Sequence, residues 1–352
     1  MTDEPVGVGL VGYGVSASSL HAPLIAAEPR LALRAVVSSD PDRVLSDLPV
    51  RVVPTVAGLL ADPAIELVVV AVPNEAHAEV AAEALSAGRH VVVDKPFTVT
   101  AAAADELITL ARSRDRLVAV FHQRRWDSDY LTVRRCVDDG LLGTVNTYVA
   151  RYDRYRPVPA AQWRDQARPG AGVLYDLGAH LIDQAVHMFG MPDTVTADVR
   201  AQRPRSAADD YFHVVFGYGP LQVILHAGSL VPAPRPRFEV HGDAGSYVSG
   251  GIDGQIAALL AGRRPGDPGW GVEPPDRYGT LTTVSGTAPE SSPIASATGA
   301  YESFYRGMAD AVRGRGPVPV SAADGRATVW LIERCLESSA AGRTVVARSM
   351  GA

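Results

Sequence analysis

The feature that most constrains this chain lies at its start, where the short run Val6–Val11 leads directly into Gly12-Tyr13-Gly14-Val15-Ser16-Ala17. A short apolar run of this kind becomes a strand buried on both faces of a parallel sheet. The Gly-x-Gly-x-x-Ala pattern after it has a specific physical logic. Gly12 permits the tight turn out of the strand, Gly14 lets a pyrophosphate approach backbone N–H groups, and Ala17 allows the next helix to pack close to the sheet. Val15 and Ser16 sit in the same turn and count with the glycines as dinucleotide contacts. Ser18–Ala27 supplies the helical crossover, which Pro23 interrupts or restarts.

A second strand, Leu31–Val37, ends in Ser38-Ser39-Asp40. An acid at this tip accepts a hydrogen bond from a free ribose 2′-hydroxyl, whereas a basic residue welcomes a 2′-phosphate. Asp40 tilts the reading toward NAD, while Ser38 and Ser39 could also seat a phosphate, so NADP stays open. The alternation continues through Glu66–Val72, stopped by Pro73-Asn74, and a helix over Glu75–Ala87 that ends at Gly88. His90–Val93 follows, then Asp94-Lys95-Pro96, a helix over Ala101–Ser113 and the strand Leu117–Phe121. Strands and helices alternating in this way imply a doubly wound parallel sheet, a Rossmann dinucleotide-binding domain over residues 1–122. Doubly wound folds place ligands at strand ends, so Pro73, Asn74, His77, Asp94 and Lys95 are cofactor-side candidates. Lys95 is delivered to the crevice on an extended tip, because Pro96 disfavours helical backbone before it.

At 352 residues, the chain exceeds a single comfortable core, and residues 123–352 are expected to form a second domain. Here the pattern changes to alternating runs: Thr144–Tyr155, Thr194–Arg200, Tyr211–Phe216, Leu221–Ala227, Arg237–His241 and Tyr278–Ser285. Short glycine-containing links such as 217–220 and 242–245 join several of them, which are hairpin signals. The expected fold is α+β, an open-faced, largely antiparallel sheet with helices such as Leu181–Phe189 on one face. An open sheet face tends to be covered by a second copy, so a homodimer or homotetramer is expected. Two helices, Tyr301–Arg313 and Ala322–Ser339, finish the chain.

A net charge of −6 with scattered basic residues argues against nucleic acid or an anionic membrane as partner and leaves small molecules. Cys136 and Cys335 are the only cysteines, far apart and without metal-ligand spacing, so neither a disulfide framework nor a metal site is expected. The acidic N-terminus runs straight into a strand, and no apolar stretch approaches the length needed to cross a bilayer, so a cytoplasmic protein is expected.

Within the second half, Gly170–Gln184 contains Asp176 and His180 four residues apart beside an apolar stripe at Leu177, Leu181 and Ile182. On a helix the carboxylate and imidazole share a face, one turn apart, which suits a proton-transferring site. The same spacing also describes an ordinary surface pair. Gly170 and Gly172 would let the backbone approach a ligand.

Gly12-Tyr13-Gly14, Asp94-Lys95-Pro96 and Asp176-Leu177-Gly178-Ala179-His180 together resemble the Gfo/Idh/MocA oxidoreductase family, over the whole chain. The stretches 121–129, 152–157, 175–184, 210–213 and 251–255 resemble its scyllo-inositol dehydrogenase branch most. The resemblance implies a Rossmann domain, an open-faced sheet domain, dimers or tetramers, and NAD(P)-dependent hydride transfer at a CH–OH group of an inositol or sugar. It also implies catalytic roles for Lys95, Asp176 and His180. Two departures stand out: Asp94 replaces the usual glutamate, and NADP-linked members carry arginine where Asp40 aligns. His180 is expected to act as general base, with Lys95 hydrogen-bonding the reacting oxygen and Asp176 holding a hydroxyl or His180 itself. Which of Lys95 and His180 takes the proton first stays open. Arg124, Tyr152, Arg154 and Trp163 are expected to line the substrate pocket. The rival readings are a cofactor-binding regulator without turnover and an NAD-dependent glycosidase.

Overall fold

The computed structural model describes residues 4–160, 163–285 and 288–347. The chain divides into two compact units: Met1–Gln123 with Gln255–Trp270 and Ala300–Arg326, and Arg124–Gly254 with Gly271–Gly299 and Ala327–Ala352.

The first unit is built on six parallel strands, β1 (Val6–Val11), β2 (Leu31–Val37), β3 (Arg51–Val53), β4 (Leu67–Val70), β5 (His90–Asp94) and β6 (Val118–Phe121). Their spatial order is β3-β2-β1-β4-β5-β6, the dinucleotide-binding order in which the crevice opens where β1 meets β4. The valine-rich runs are buried because helices cover both faces of such a sheet: Val8, Leu10, Val68, Val69, Val92 and Val93 are all inaccessible to solvent. The crossover after β1 is not one regular helix. A wide π turn over Ala17–His21 runs straight into α-helix at Ala22–Ala26, and Pro23, which has no N–H to give the turn before it, sits just after the widening. The short strand β3 is an addition to the elements expected from the sequence. On the β6 side, Ala119 bridges to Ser321, which covers that edge.

The second unit carries a nine-stranded sheet made of β7 (Val145–Arg151), β8 (Thr194–Arg200), β9 (Tyr211–Tyr218), β10 (Leu221–Gly228), β11 (Phe238–Gly242), β12 (Gly245–Ser249), β13 (Gly279–Ser285), β14 (Ala288–Ile294) and β15 (Val345–Val346). Its order is β14-β13-β12-β11-β7-β10-β9-β8-β15. Every pair is antiparallel except β10 with β7. Alternate residues Phe212, Val214 and Phe216 are buried while their neighbours are half-buried, the signature of a sheet with one face on a core and the other more open. The helix Ala179–Phe189 packs on the buried side, with Leu181, Ile182 and Ala185 inward. Among the described residues no helix is long and apolar enough to cross a membrane.

Candidate active site

In the first unit the chain leaves β1 at Gly12, whose φ is +90°; a Cβ there would lie 2.5 Å from the Ala71 carbonyl oxygen, so only glycine makes this turn. At Gly14 a Cβ would meet no protein atom within 4 Å. The space in front of it is open to a ligand. Gly12, Gly14, Ser38, Ser39, Asp40 and Arg43 help to line a cleft of about 460 Å³ at the carboxyl ends of β1, β2 and β4, a size suited to a small-molecule site. A bare glycine cradle at the sheet's switch point fits a dinucleotide phosphate. Val15, next along the turn, is 68% exposed.

Asp40 is exposed and caps the helix Pro41–Asp47, with Oδ1 accepting the Arg43 N–H at 3.1 Å. Ser38 is drawn into the same turn: its hydroxyl accepts from the Asp40 N–H at 3.0 Å. Pro73 is exposed and Asn74 buried just beyond β4. His77 is buried with Nδ1 2.8 Å from the Pro96 carbonyl and Nε2 3.0 Å from the Val72 carbonyl. It pins the end of β4 to the end of β5, and burial pushes its pKa below the ordinary value.

At that end of β5, Asp94 Oδ1 accepts the backbone N–H of Lys95 at 2.8 Å. Burial works against the Asp94 charge, but His21, Lys95 and the Ser16 hydroxyl outweigh it and hold the carboxyl well below the usual range. Lys95 is half-buried and precedes a cis peptide bond to Pro96. It is also the only lysine in the chain: of 33 basic residues, every other one is arginine. Arginine matches lysine as a fixed positive charge but does not release a proton near neutral pH.

In the second unit, Asp176 lies inside a π turn over Leu174–Gly178, and His180, 4% exposed, is the second residue of the α-helix that follows. The two are therefore not related by one regular α turn as their spacing predicts. Such a wide turn re-aims side chains and recurs at functional sites. Gly172 lines the same cleft as Asp176. At φ +92° a Cβ would fall 1.9 Å from Asp209 Oδ1, so the close approach is to that side chain. Asp209 Oδ2 accepts the Leu174 N–H at 2.7 Å and so secures the start of the π turn.

Three expected pocket residues come together here. Arg124 donates from Nη2 to the Tyr152 hydroxyl at 2.6 Å and from Nη1 to Asp127 at 2.9 Å. The guanidiniums of Arg124 and Arg154 stand 4.8 and 5.0 Å from the Tyr152 ring centre. Arg154 continues to Asp176, with Nη1 3.8 Å from Oδ2. Trp163 joins indirectly, its ring 4.5 Å beneath the Arg164 guanidinium, whose Nε stands 3.5 Å from Asp176 Oδ1. Arg154, Arg164 and Asp176 line one cleft together with Asp165 and Asp209, a set of charged donors and acceptors that suits a ligand bearing several hydroxyls.

Arg164, Asp209 and His21 belong to these networks but go unread in the sequence. Arg164 adjoins Trp163, which could have drawn attention to it. Asp209 lies far away in the chain, and His21 sits in a crossover helix where a lone histidine reads as core.

The fold and these clefts define a dinucleotide-binding oxidoreductase. A family model described as the NAD-binding Rossmann fold of the Gfo/Idh/MocA oxidoreductase family matches residues 6–122, and its companion, the C-terminal alpha/beta domain, matches residues 134–347. The scyllo-inositol 2-dehydrogenase (NADP(+)) IolW of Bacillus subtilis is 42% identical over 97% of this chain and 96% of its own length. The uncharacterised oxidoreductase YdgJ of Escherichia coli is 43% identical over 96% of this chain and 97% of its own. The structure of yvaA from Bacillus subtilis superposes with a TM-score of 0.95 at 42% identity, covering 97% of this chain and 98% of that one. The chain belongs to the Gfo/Idh/MocA oxidoreductase family.

Proposed function

We propose that this oxidoreductase transfers a hydride between NAD(P) and a secondary alcohol or ketone carbon of an inositol or sugar. Residues 1–122 form its cofactor domain and residues 123–352 its substrate and assembly domain, apart from the segments that return to the first unit. The observation that carries the reading is the single lysine, placed at the end of a parallel strand in an otherwise all-arginine set of basic residues. A lysine at this one position points to chemistry that needs a compact ammonium donor, which a planar guanidinium does not replace. The donor-rich surface around Asp176 and the likeness to an inositol dehydrogenase support the substrate class.

When bound, the cofactor supplies the nicotinamide carbon that exchanges the hydride. Gly12, Gly14, Val15 and Ser16 would hold its phosphates, Ser38, Ser39, Asp40 and Arg43 its adenosine ribose, and Pro73, Asn74 and Asp94 the part beyond. Lys95 hydrogen-bonds the reacting oxygen and stabilises its developing negative charge. His180 takes or returns the hydroxyl proton, a task suited to imidazole near neutral pH. Asp176, Arg124, Tyr152, Arg154 and Trp163 orient the ring hydroxyls. We further propose that a second copy covers the more open sheet face and that the protein works in the cytoplasm.

The test is a panel of inositols and sugars with NAD and NADP, read at 340 nm, for the wild type and for Lys95→Arg, Lys95→Ala and His180→Ala. Each variant should lose about 100-fold or more in turnover, and Lys95→Arg should be as poor as Lys95→Ala. Turnover of Lys95→Arg near the wild-type level would refute the role of the amine. Tight cofactor binding with no absorbance change across the panel would instead favour a regulator.

A further inference from the structure

We propose that His21 is a positioning residue for hydride transfer, holding the carboxylate of Asp94 and through it the strand tip that presents Lys95. The inference rests on the reading of Lys95 as a catalytic group. His21 closes the π turn that follows the glycine cradle and is wholly buried. Three elements of the first unit enclose its ring. Tyr305, from the helix Glu302–Val312, places its hydroxyl 2.6 Å from Nδ1. Phe121, at the end of β6, packs against it with the ring centres 4.1 Å apart and the planes tilted by 41°. From the tip of β5, Asp94 Oδ2 faces Nε2 at 3.7 Å, an ion-pair distance rather than a hydrogen bond.

The phenol on one side of the ring and the carboxylate on the other favour a proton on Nε2, the nitrogen that faces the acid. Burial and the nearby Asp94 charge push the Tyr305 phenol well above its ordinary pKa, so the hydroxyl keeps its proton and can donate to Nδ1. A neutral ring accepting at Nδ1 carries its proton on Nε2, and a charged ring carries protons on both nitrogens. In either state an N–H points at Asp94. The charged or titratable groups against this ring are Asp94 and Tyr305, with Lys95 next along the strand.

Asp94 therefore gathers three parts of the cofactor half. Oδ1 accepts the Lys95 backbone N–H at 2.8 Å, the Ser16 hydroxyl of the glycine turn favours the charge on the same carboxylate, and His21 stands behind Oδ2. Losing the Nε2 donor frees the carboxylate to rotate away from the Lys95 N–H. A misplacement of about 1 Å in a reacting group is enough to cost roughly 100-fold in rate. No part of the ring has to touch a substrate for this to matter.

Two amides separate the ring's two contacts. Asparagine reaches only as far as Nδ1 and loses the donor toward Asp94, whereas glutamine reaches the position of Nε2 and keeps it. The readouts are turnover, cofactor affinity from NAD(P)H fluorescence, and the labelling rate of the chain's one lysine side chain by acetic anhydride in the cofactor-free protein, followed by mass spectrometry. His21→Asn should lower kcat tenfold or more, change the labelling rate at least threefold, and leave cofactor Kd within threefold. His21→Gln should stay within threefold of wild type in all three. An unchanged labelling rate, or turnover falling only in step with cofactor affinity, would overturn the proposal, as would equal losses in the two variants. Should His21→Asn fail to fold, Tyr305→Phe removes the hydroxyl behind the ring. It should shift labelling and kcat in the same direction, and no change in either would overturn the idea equally. Lys95→Ala run alongside separates the two failures: an active Lys95→Ala sinks the reading of the lysine, whereas an inactive one beside a wild-type-like His21→Asn sinks only His21.

Discussion

The carboxylate of Asp209 accepts the backbone N–H of Leu174 at 2.7 Å, across 35 residues of sequence, and so ties a loop to the first turn of the segment bearing Asp176 and His180. Burial raises the Asp209 pKa from 3.8 to about 6, against the hydrogen bonds from Leu174 and Val173 and with a further push from Asp210. The folded chain thus binds this proton more tightly than the unfolded chain does. The stability it confers is fully present below pH 3.8 and is lost as pH rises through about 6. The loss is at most about 3 kcal/mol, reduced by solvent screening because the side chain is only half-buried. Asp209→Asn keeps an oxygen for the Leu174 N–H and should remove that pH dependence. Urea unfolding midpoints at pH 5 and pH 7.5 check it: wild type should fall between them more than the variant, and parallel behaviour would count against the assignment.

That relationship also marks where the sequence stops being readable. The first unit's strands are legible because buried parallel strands are near-continuous valine and leucine runs, as in Leu67–Val70 and Val91–Val93. Strand β14 escapes the same reasoning, since Ala-Pro-Glu-Ser-Ser-Pro-Ile has two prolines and little β propensity. It pairs on one side only, with β13 at the end of the sheet, the place where proline is tolerated. Motifs confined to one turn, such as Gly12 to Ala17 or Asp94 to Pro96, can be read from spacing. Partners brought in by the fold cannot: nothing near Leu174 points to Asp209, and nothing near His21 points to Tyr305.

Arg125 and Asp183 form a two-pronged buried pair, with Nε to Oδ2 at 2.9 Å and Nη2 to Oδ1 at 2.7 Å and both side chains under 10% exposed. Removing one partner leaves an uncompensated buried charge, which typically costs about 3–5 kcal/mol. Asp183→Ala should therefore lower the unfolding free energy by several kcal/mol. Replacing both with apolar residues of similar volume, Arg125→Met with Asp183→Leu, should recover most of it. Equal losses in the single and double variants would show that the charge itself is not the issue.

Asp176 stands between two guanidiniums, at 3.8 Å from Arg154 and 3.5 Å from Arg164. If it holds a substrate hydroxyl, Asp176→Asn removes a charge-assisted hydrogen bond worth about 1.5–3 kcal/mol, or roughly 10- to 150-fold in kcat/KM by the usual conversion. Cofactor Kd should stay within a factor of two or so, because the residues proposed to hold the cofactor lie in the other unit. A matching loss of cofactor affinity would point to a general structural defect.

A prediction on cofactor choice sets Arg43 against Asp40, which line one cleft. From sequence alone Asp40 favours NAD, yet its Oδ1 is engaged in capping its own helix through the Arg43 N–H at 3.1 Å. The Arg43 side chain lines the same cleft as Ser38 and Ser39, so a cation and two hydroxyl groups border the region where a ribose 2′-substituent would sit. A guanidinium pairs strongly with phosphate, and two parallel N–H bonds add geometric selectivity. The outcome expected of this arrangement is a KM for NADP no higher than that for NAD. Arg43→Ala should then raise KM for NADP about tenfold or more, an exposed charge-assisted contact being worth roughly 1.5 kcal/mol, and change KM for NAD less than twofold. Asp40→Asn should act in the opposite sense, improving NADP by removing a repulsive charge while keeping an oxygen for the cap. Steady-state kinetics with both cofactors on one substrate decide it. An Arg43→Ala variant that loses both cofactors equally would return the preference to Asp40 and NAD.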